Sequence, residues 1–155
     1  MAIADMFLKV AGVSGEAADS GHKGEIEVLS WSWGQEAPTA QGGLATGRAA
    51  MSELSIVKRV DASTPTLMNF LHTHKAVASA TLTVRKAGTT PLTYFTLDLT
   101  NVRITALVTD SQGPDLVDRV RLGFQKITVT YTPQSTTGAK GGGDIVFTAD
   151  AQRGN

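Results

Sequence analysis

Histidines, carboxylates and two glycine-rich stretches are the residues of this chain that could do chemistry. His72 and His74 are two residues apart on a predicted helix and point to different faces, whereas a helical metal pair needs a spacing of about three or four. Residues 138–143 (GAKGGG) contain a lysine but lack the GxxxxGK[ST] pattern and do not lie between a strand and a helix. These patterns predict no metal site, no phosphate loop and no cofactor.

The carboxylates and hydroxyls do not form a catalytic pattern either. Glu25 and Glu27 share one face of a predicted strand, where such residues are more often solvated charges than an acid and base pair. No serine lies in a GxSxG context. The chain has no cysteine, which excludes a thiolate nucleophile, a disulfide and a cysteine-ligated metal. We therefore predict no catalytic residues and no enzyme activity.

The length of the chain limits the number of domains, and its charge limits the kinds of partner. A chain of 155 residues suits one domain, and we expect a single domain over residues 1–155 with a flexible tail from about residue 150. Fourteen Lys plus Arg balance fourteen Asp plus Glu, which argues against a nucleic-acid partner. The first residues contain no apolar core of a signal peptide, and no segment approaches the roughly 20 apolar residues that span a bilayer. We expect neither a cleaved signal peptide nor membrane insertion.

Both tryptophans lie in one strand-like stretch, residues 22–34 (HKGEIEVLSWSWG). Strict alternation would divide it into two faces, one with Glu25, Glu27, Leu29, Trp31 and Trp33, the other with Ile26, Val28, Ser30 and Ser32. Neither face is cleanly apolar. Either a bulge near Val28 and Leu29 switches the faces, or the core covers one side of the strand and a neighbouring subunit covers part of the other.

Two long strands dominate the predicted sheet. Their apolar residues change parity: Phe95, Leu97 and Leu99 give way to Val102, Ile104, Ala106 and Val108, and Val120, Leu122 and Phe124 give way to Ile127, Val129 and Tyr131. We predict a bend at Asn101 and another across Gln125 and Lys126, as in a sheet that curls toward a barrel. Shorter strands are predicted over residues 7–10, 51–60, 80–86 and 144–149, with a five-residue hairpin turn over residues 87–91.

A single helix is predicted over about residues 64–75. Asp61, Ser63 and Thr64 are candidate N-caps, and Pro65 suits the first turn because its missing N–H is not needed there. An apolar stripe follows, formed by Leu67, Met68, Phe70 and Leu71. A short amphipathic helix must lie on a sheet, and the tryptophan strand is a candidate for the surface that it covers. The predicted fold class is mainly β, a barrel-like pair of packed antiparallel sheets with one flanking α-helix.

Several stretches in this order resemble the haemolysin-coregulated protein (Hcp) family, the tube subunits of bacterial type VI secretion systems. The stretches are MAIADMFLKV, GHKGEIEVLSWSWG, ATGRAAMSELSIVKRVDASTPTLM, LTVRKAG, FQKITVTYTPQ and GAKGGG. The resemblance extends from about residue 1 to residue 143, and the combination is specific although each stretch alone would be weak.

The resemblance implies a two-sheet β-barrel that forms a homo-hexamer, a ring of six copies. Rings of this kind stack on other rings into a hollow tube, which a contractile sheath propels behind a spike protein at its tip and which carries effector proteins in its lumen. It also implies assembly in the bacterial cytoplasm followed by secretion without a cleaved signal peptide. The alternative is a monomeric β-barrel that binds carbohydrate or protein through its tryptophans.

Two sets of residues are the candidate sites of a tube subunit. Residues 35–50 form a glycine-rich loop of unusual length, which makes it the candidate for contact between rings. Its candidate residues are Gln35, Pro38, Gly42, Gly43, Leu44, Gly47 and Arg48. If the tryptophans pack inside the barrel wall, Ser30 and Ser32 face the lumen and effectors, where small neutral hydroxyls would impose no strong charge field on cargo.

Overall fold

The computed structural model describes residues 4–40, 42–44, 47, 49–86, 92–134 and 141–151. In these ranges the chain is mainly β and forms ten strands and one helix. The elements in chain order are β1 (Ala4–Val10), β2 (Ile26–Glu27), β3 (Ser30–Ser32), β4 (Gln35–Glu36), β5 (Ala50–Met51), β6 (Leu54–Arg59), α1 (Ser63–His72), β7 (Val77–Lys86), β8 (Leu92–Gln112), β9 (Asp115–Tyr131) and β10 (Ile145–Asp150). The predicted hairpin pairing of β7 with β8 is confirmed, and its turn, residues 87–91, lies outside the described residues.

The main sheet is antiparallel and curls into a barrel. Its strand order is β2-β1-β7-β8-β9-β6-β3, with β10 paired to β9. The strands at the two ends of this order, β2 and β3, belong to one short segment of chain. Within that segment the N–H of Val28 donates to the carbonyl of Met6 in β1 (3.0 Å), and the N–H of Leu29 donates to the carbonyl of Val57 in β6 (2.7 Å). The segment therefore joins both edges of the sheet, and the predicted barrel-like fold is confirmed as one continuous curled sheet.

The tryptophan segment changes faces where it crosses from one edge to the other. Ile26 and Val28 are buried, Leu29 is exposed, and Trp31 and Trp33 pack partly buried against the core. The inward positions thus move from even to odd numbers between β2 and β3, which end and begin on either side of residues 28–29. The predicted change of faces near Val28 and Leu29 is therefore present, and it accompanies a change of partner strand from β1 to β6. Cover by a neighbouring subunit stays a prediction.

The predicted bends in β8 and β9 are confirmed, and they lie opposite each other. Asn101 has a left-handed φ of 52°, and its side-chain amide donates to the side-chain carbonyl of Gln125. Leu99 and Val102 are both buried on either side of this position. Because both strands change parity at the same point, the sheet bends there without losing its inward apolar face.

A second irregularity in β8 overturns part of the predicted pattern. The register with β9 shifts between Ile104 and Ala106, so that Thr105 is an extra residue in the strand. Leu107 consequently packs on the core, and the side chain of Val108 is 56% exposed. The prediction that Ala106 and Val108 share the inward face of Ile104 was wrong, because one inserted residue reverses the facing of all that follow.

The helix begins and ends slightly earlier than predicted. It runs from Ser63 to His72, because His74 adopts a left-handed φ of 55° and the N–H of Lys75 donates to the carbonyl of Phe70 (2.9 Å). This closing bond resembles a Schellman-type helix end. At the other end, a carboxylate oxygen of Asp61 accepts from the N–H of Ser63 (2.8 Å).

The apolar stripe of α1 is only partly buried. Leu67 and Phe70 are buried, Leu71 is partly buried, and the side chain of Met68 is 42% exposed. The helix packs mainly on β8. The tryptophan strand packs against β8 instead, because Trp31 stacks on Phe95 with 5.8 Å between ring centroids.

A buried ionic network holds the start of α1 against the barrel. Lys58, which breaks the apolar pattern of β6, has no exposed surface, and its Nζ lies 2.9 Å from Asp118 and 3.0 Å from Asp61. Lys58 also donates to Thr64 Oγ1 (3.0 Å), which in turn donates to Asp118 (2.6 Å). Thr109 donates to the second oxygen of Asp118 (2.6 Å). The network thereby links β6, β8, β9 and the first turn of α1.

Asp118 stays ionised in this network. Burial raises the pKa of its carboxyl, but hydrogen bonds from Lys58, Thr109 and Thr64 outweigh burial, so the pKa lies below the ordinary value of 3.8. The charge of Lys58 is therefore matched by a neighbouring negative charge, as a buried ion requires.

A half-buried ionic cluster attaches the segment that connects β1 and β2 to strand β7. Arg85 lies 3.1 Å from Asp5 and donates to both oxygens of Asp19, with its guanidinium 5.1 Å from the ring centroid of Phe7. Phe7 stacks in turn on His22 at 4.3 Å. The Arg85 hydrogen bonds, helped by the N–H of Gly21, lower the pKa of Asp19 to about 2.

We expect Asp118→Asn to destabilise the fold by about 3 kcal/mol or more, because it removes one partner of a buried ion pair and leaves the Lys58 ammonium under-compensated. Urea unfolding at neutral pH measures the change. In the parent chain the contribution of Asp118 is present above the unfolded carboxyl pKa of 3.8 and is lost as the pH falls through the lower folded pKa. The variant should lack that part of the acid sensitivity.

The matched control is Asp110→Asn, at a carboxylate that is 46% exposed and lies 3.7 Å from Arg119. Exposed pairs of this kind contribute at most about 1 kcal/mol. Equal losses of stability in the two variants would contradict the structural role given to the buried network.

Candidate functional site

Four neighbouring strands present one exposed face, which we name the serine–arginine face. Ser30 and Ser32 lie on it, exposed, opposite in facing to Trp31 as the sequence predicted. The register aligns its side chains in two rows across β3, β6, β9 and β8: Ser30, Val57, Arg119 and Val108 in one row, and Ser32, Ser55, Arg121 and Ala106 in the other.

The serine–arginine face carries positive charge as well as small side chains. Arg119 and Arg121 are exposed; Arg119 lies 3.7 Å from Asp110, and Arg121 forms no ion pair with any residue in the described ranges. The prediction of small neutral hydroxyls fits β3 but does not extend to β9. The missed signal was the i, i+2 spacing of the arginines around Val120, which places both on one side of a strand.

Both ends of the serine–arginine face are open strand edges. β3 pairs with β6 on one side and ends the sheet order. β8 pairs with β7 only as far as Val102, and within the described chain its residues 103–112 pair with β9 alone. Unpaired edges of this kind present free backbone N–H and C=O groups to a partner strand.

The strands β4 and β5, with the described residues between them, form a second, two-stranded sheet, which we name the ribbon. β4 and β5 pair through Gln35 with Met51 and Glu36 with Ala50. At the base, the N–H of Gly34 donates to Ser52 Oγ (2.9 Å), and the N–H of Ser52 donates to the carbonyl of Gly34 (2.8 Å). The ribbon therefore stands on the barrel as a separate two-stranded unit.

The tip of this ribbon is apolar and exposed. The side chain of Leu44 is 72% exposed, next to Gly42 and Gly43, which both have positive φ. The other predicted contact residues in the described ranges, Gln35, Pro38 and Gly47, are exposed as well. Arg48 lies outside the described residues. The contact between rings stays a prediction for this loop.

The last strand is a third open edge, and it is apolar. Ile145, Val146 and Phe147 have 64%, 58% and 41% of their side chains exposed, while Ala149 is buried. Within the described ranges, β10 pairs with β9 alone. It confirms the predicted short strand and continues to Asp150; of the predicted flexible tail, residues 152–155 lie outside the described residues.

The tryptophans do not offer a free stacking platform. One ring face of Trp31 is occupied by Phe95, and both indoles pack against the core. The alternative of a carbohydrate binder that uses these rings therefore has no supporting geometry.

The residues first considered for chemistry are not brought together. His72 and His74 are exposed, Glu25 pairs with His22 (3.0 Å), and no three His, Asp or Glu side chains converge as metal ligands within the described residues. No helix in the described part of the chain is long and apolar enough to cross a membrane.

The chain is similar to a known protein family and to several solved structures. A family model described as type VI secretion system effector, Hcp, matches residues 7–131. The protein Hcp1 of Pseudomonas aeruginosa is 37% identical over 149 residues, which cover 92% of each chain. The structure of Hcp1 from Salmonella typhimurium superposes with a TM-score of 0.78 at 27% identity over 99% of each chain. A type VI secretion system effector from Yersinia pestis gives 0.77 at 30% identity, over 94% of this chain and 99% of that one.

These matches place the chain among the structural proteins of type VI secretion systems. Within that class, the chain belongs to the Hcp family. The family resemblance found in the sequence stretches is thereby confirmed.

Proposed function

We propose that the chain is the tube subunit of its secretion system, with six copies in a ring, rings stacked into a tube, and effector proteins carried in the lumen. The observation that carries this proposal is the pair of open edges at opposite ends of the serine–arginine face. Joining the β3 edge of one copy to the β8 edge of the next is a head-to-tail contact, which closes into a ring when the rotation allows it. The family resemblance supplies the number six.

Ring closure assigns the serine–arginine face to the lumen. Joined edge to edge, the four strands of each copy form one continuous β wall. The rest of the barrel, β1, β2, β7, β10 and α1, lies behind these strands and needs the larger circumference. The wall therefore turns its exposed face inward, and the bulk of each subunit faces the contractile sheath.

The remaining exposed surfaces suit further contacts. The ribbon exposes Leu44, which suits docking on the next ring or on the spike protein at the tube end. The apolar edge of β10 suits packing against a neighbouring copy, because exposed apolar edges otherwise promote aggregation. The tube assembles in the bacterial cytoplasm and is then secreted without a cleaved signal peptide.

Paired cysteines test the ring contact. The chain has no cysteine of its own, so Ser32→Cys with Ala106→Cys, or Ser30→Cys with Val108→Cys, introduces the only thiols. In one chain these positions lie three strand spacings apart, about 14 Å, which is too far for a disulfide. Oxidised rings should therefore give a ladder of covalent multimers up to six on a non-reducing gel.

Each single-cysteine variant is the control and should stop at monomers and dimers. Monomers alone from both double variants, in preparations where electron microscopy detects rings, would exclude the β3 and β8 edges as the contact.

Replacing residues 37–49 by a two-residue Asn-Gly turn tests the ribbon. The turn suits a hairpin and keeps the β4–β5 pairs of Gln35 and Glu36. We expect an unchanged urea transition and intact rings, because none of the described residues among those removed belongs to the buried core, but no stacked tubes in electron micrographs. Leu44→Lys should reproduce the stacking defect if the tip makes the contact. Unchanged tubes from the truncated chain would refute the stacking role.

Ser32→Gln tests the lumenal face. The larger side chain points away from the core, so rings should form normally while retention of a cognate effector in a pull-down falls. Ser79→Gln is the matched control, since Ser79 is an exposed strand serine on β7. Undiminished capture by Ser32→Gln rings would count against a lumenal position.

A further inference from the structure

The serine–arginine face carries a local positive charge in a chain whose formal charge is zero. Beyond one end of these rows, Arg103 pairs with Gly123, which also lies beside the Glu53 carboxylate. Beyond the other end, Arg59 and Asp110 both pair with Val117. Each flanking row thus holds one charge of each sign. The two central rows contribute Arg119 and Arg121 with no carboxylate, so the four rows together hold four arginines and two carboxylates, a net charge of +2.

The nearby carboxylates leave these arginines largely available. Asp110 approaches Arg119 no closer than 3.7 Å, with both side chains about half exposed, which is a weak pair. Glu53 is engaged elsewhere, because it accepts a hydrogen bond from Thr105 Oγ1 (2.9 Å). Arg121 forms no ion pair in the described part of the chain.

The setting of the two guanidinium groups suits carboxylates. Arg119 and Arg121 line a shallow groove on this face, together with Ser55, Val57 and Ala106. Alternate residues of a strand lie about 7 Å apart, which is also the spacing of alternate side chains in an extended peptide. An arginine fork binds a carboxylate through two parallel hydrogen bonds, and small neighbouring side chains allow the peptide backbone to approach.

We propose that the serine–arginine face selects protein cargo that presents acidic side chains, with Arg119 and Arg121 as the recognition residues. The proposal rests on the proposed function, since it gives that lumenal face its ligand chemistry. A ring repeats the arginine pair in every subunit, so that weak single contacts add by avidity. Nucleic acid fits less well, because Asp110 and Glu53 flank the arginines and would repel a continuous phosphate backbone.

Fluorescence anisotropy with assembled rings tests this selection. The probes are a fluorescein-labelled peptide in which Glu and Ser alternate, the same peptide with Gln for Glu, the same with Lys for Glu, and an oligothymidine of similar length. The Glu peptide should bind most tightly, and its binding should weaken as salt is added because the contacts are exposed ion pairs. Equal binding of the Glu and Gln peptides, or tighter binding of the oligothymidine, would overturn the proposal.

Charge variants locate the binding. Arg119→Gln with Arg121→Gln should weaken binding of the Glu peptide about tenfold, as expected for the loss of two exposed ion pairs. The Lys9→Gln, Lys86→Gln double variant removes the same charge from exposed positions on β1 and β7 and should bind as the parent does. Equal losses in the two double variants would mean a net-charge effect and would refute the arginine site.

The two proposals fail in different ways. Electron microscopy of each preparation reports ring formation independently of peptide binding. Rings that lose a cognate effector on Ser32→Gln but never prefer the Glu peptide would leave the tube function standing and reject acidic selection. If the arginine double variant does not assemble, the comparison of Glu and Gln peptides on parent rings still decides the proposal.

Discussion

Two successive amide groups hold the barrel closed, and the rest of the molecule depends on them. Val28 donates to β1 and Leu29 donates to β6, so a single peptide step crosses from one edge of the sheet to the other. Left unpaired, the backbone groups of both edges would be exposed or buried without partners, at a free-energy cost. The crossing forces the change of facing that sends the tryptophans inward and the serines outward. The exposed face assigned to the lumen is therefore a consequence of barrel closure.

One strand combines the internal anchor and the external face. In β9, Asp118 and Val120 point inward, and Arg119 and Arg121 point outward. The inward residues are fixed by the buried Lys58 and the apolar core, whereas the outward ones are exposed and Arg119 forms only a weak pair with Asp110. Because alternation separates the two sets, substitutions on the exposed face need not disturb the residues that hold α1 and the barrel together.

Much of this fold could be predicted from local pattern. The parity changes at Asn101 and Gln125 located both bends, and the uneven faces of the tryptophan stretch indicated either a change of faces near Val28 and Leu29 or cover by a neighbouring subunit. The extra residue at Thr105 could not be predicted, because Ala106 and Val108 continue the alternating apolar pattern in the sequence. Only the pairing with β9 shows the register shift. The helix end was missed since His74 adopts a left-handed conformation that non-glycine residues seldom take.

The candidate site depended more heavily on pairing between distant segments. The serines were placed correctly from alternation within β3 alone. The arginines lie on the same face as the serines only because β3 pairs with β6 and β6 pairs with β9. These are two non-local registers that the sequence does not specify. The closure also has a spectroscopic consequence: both indoles of the chain follow the crossing within five residues, and Trp31 stacks on Phe95 of β8. The native tryptophan emission is thus a built-in, label-free reporter of the crossing itself.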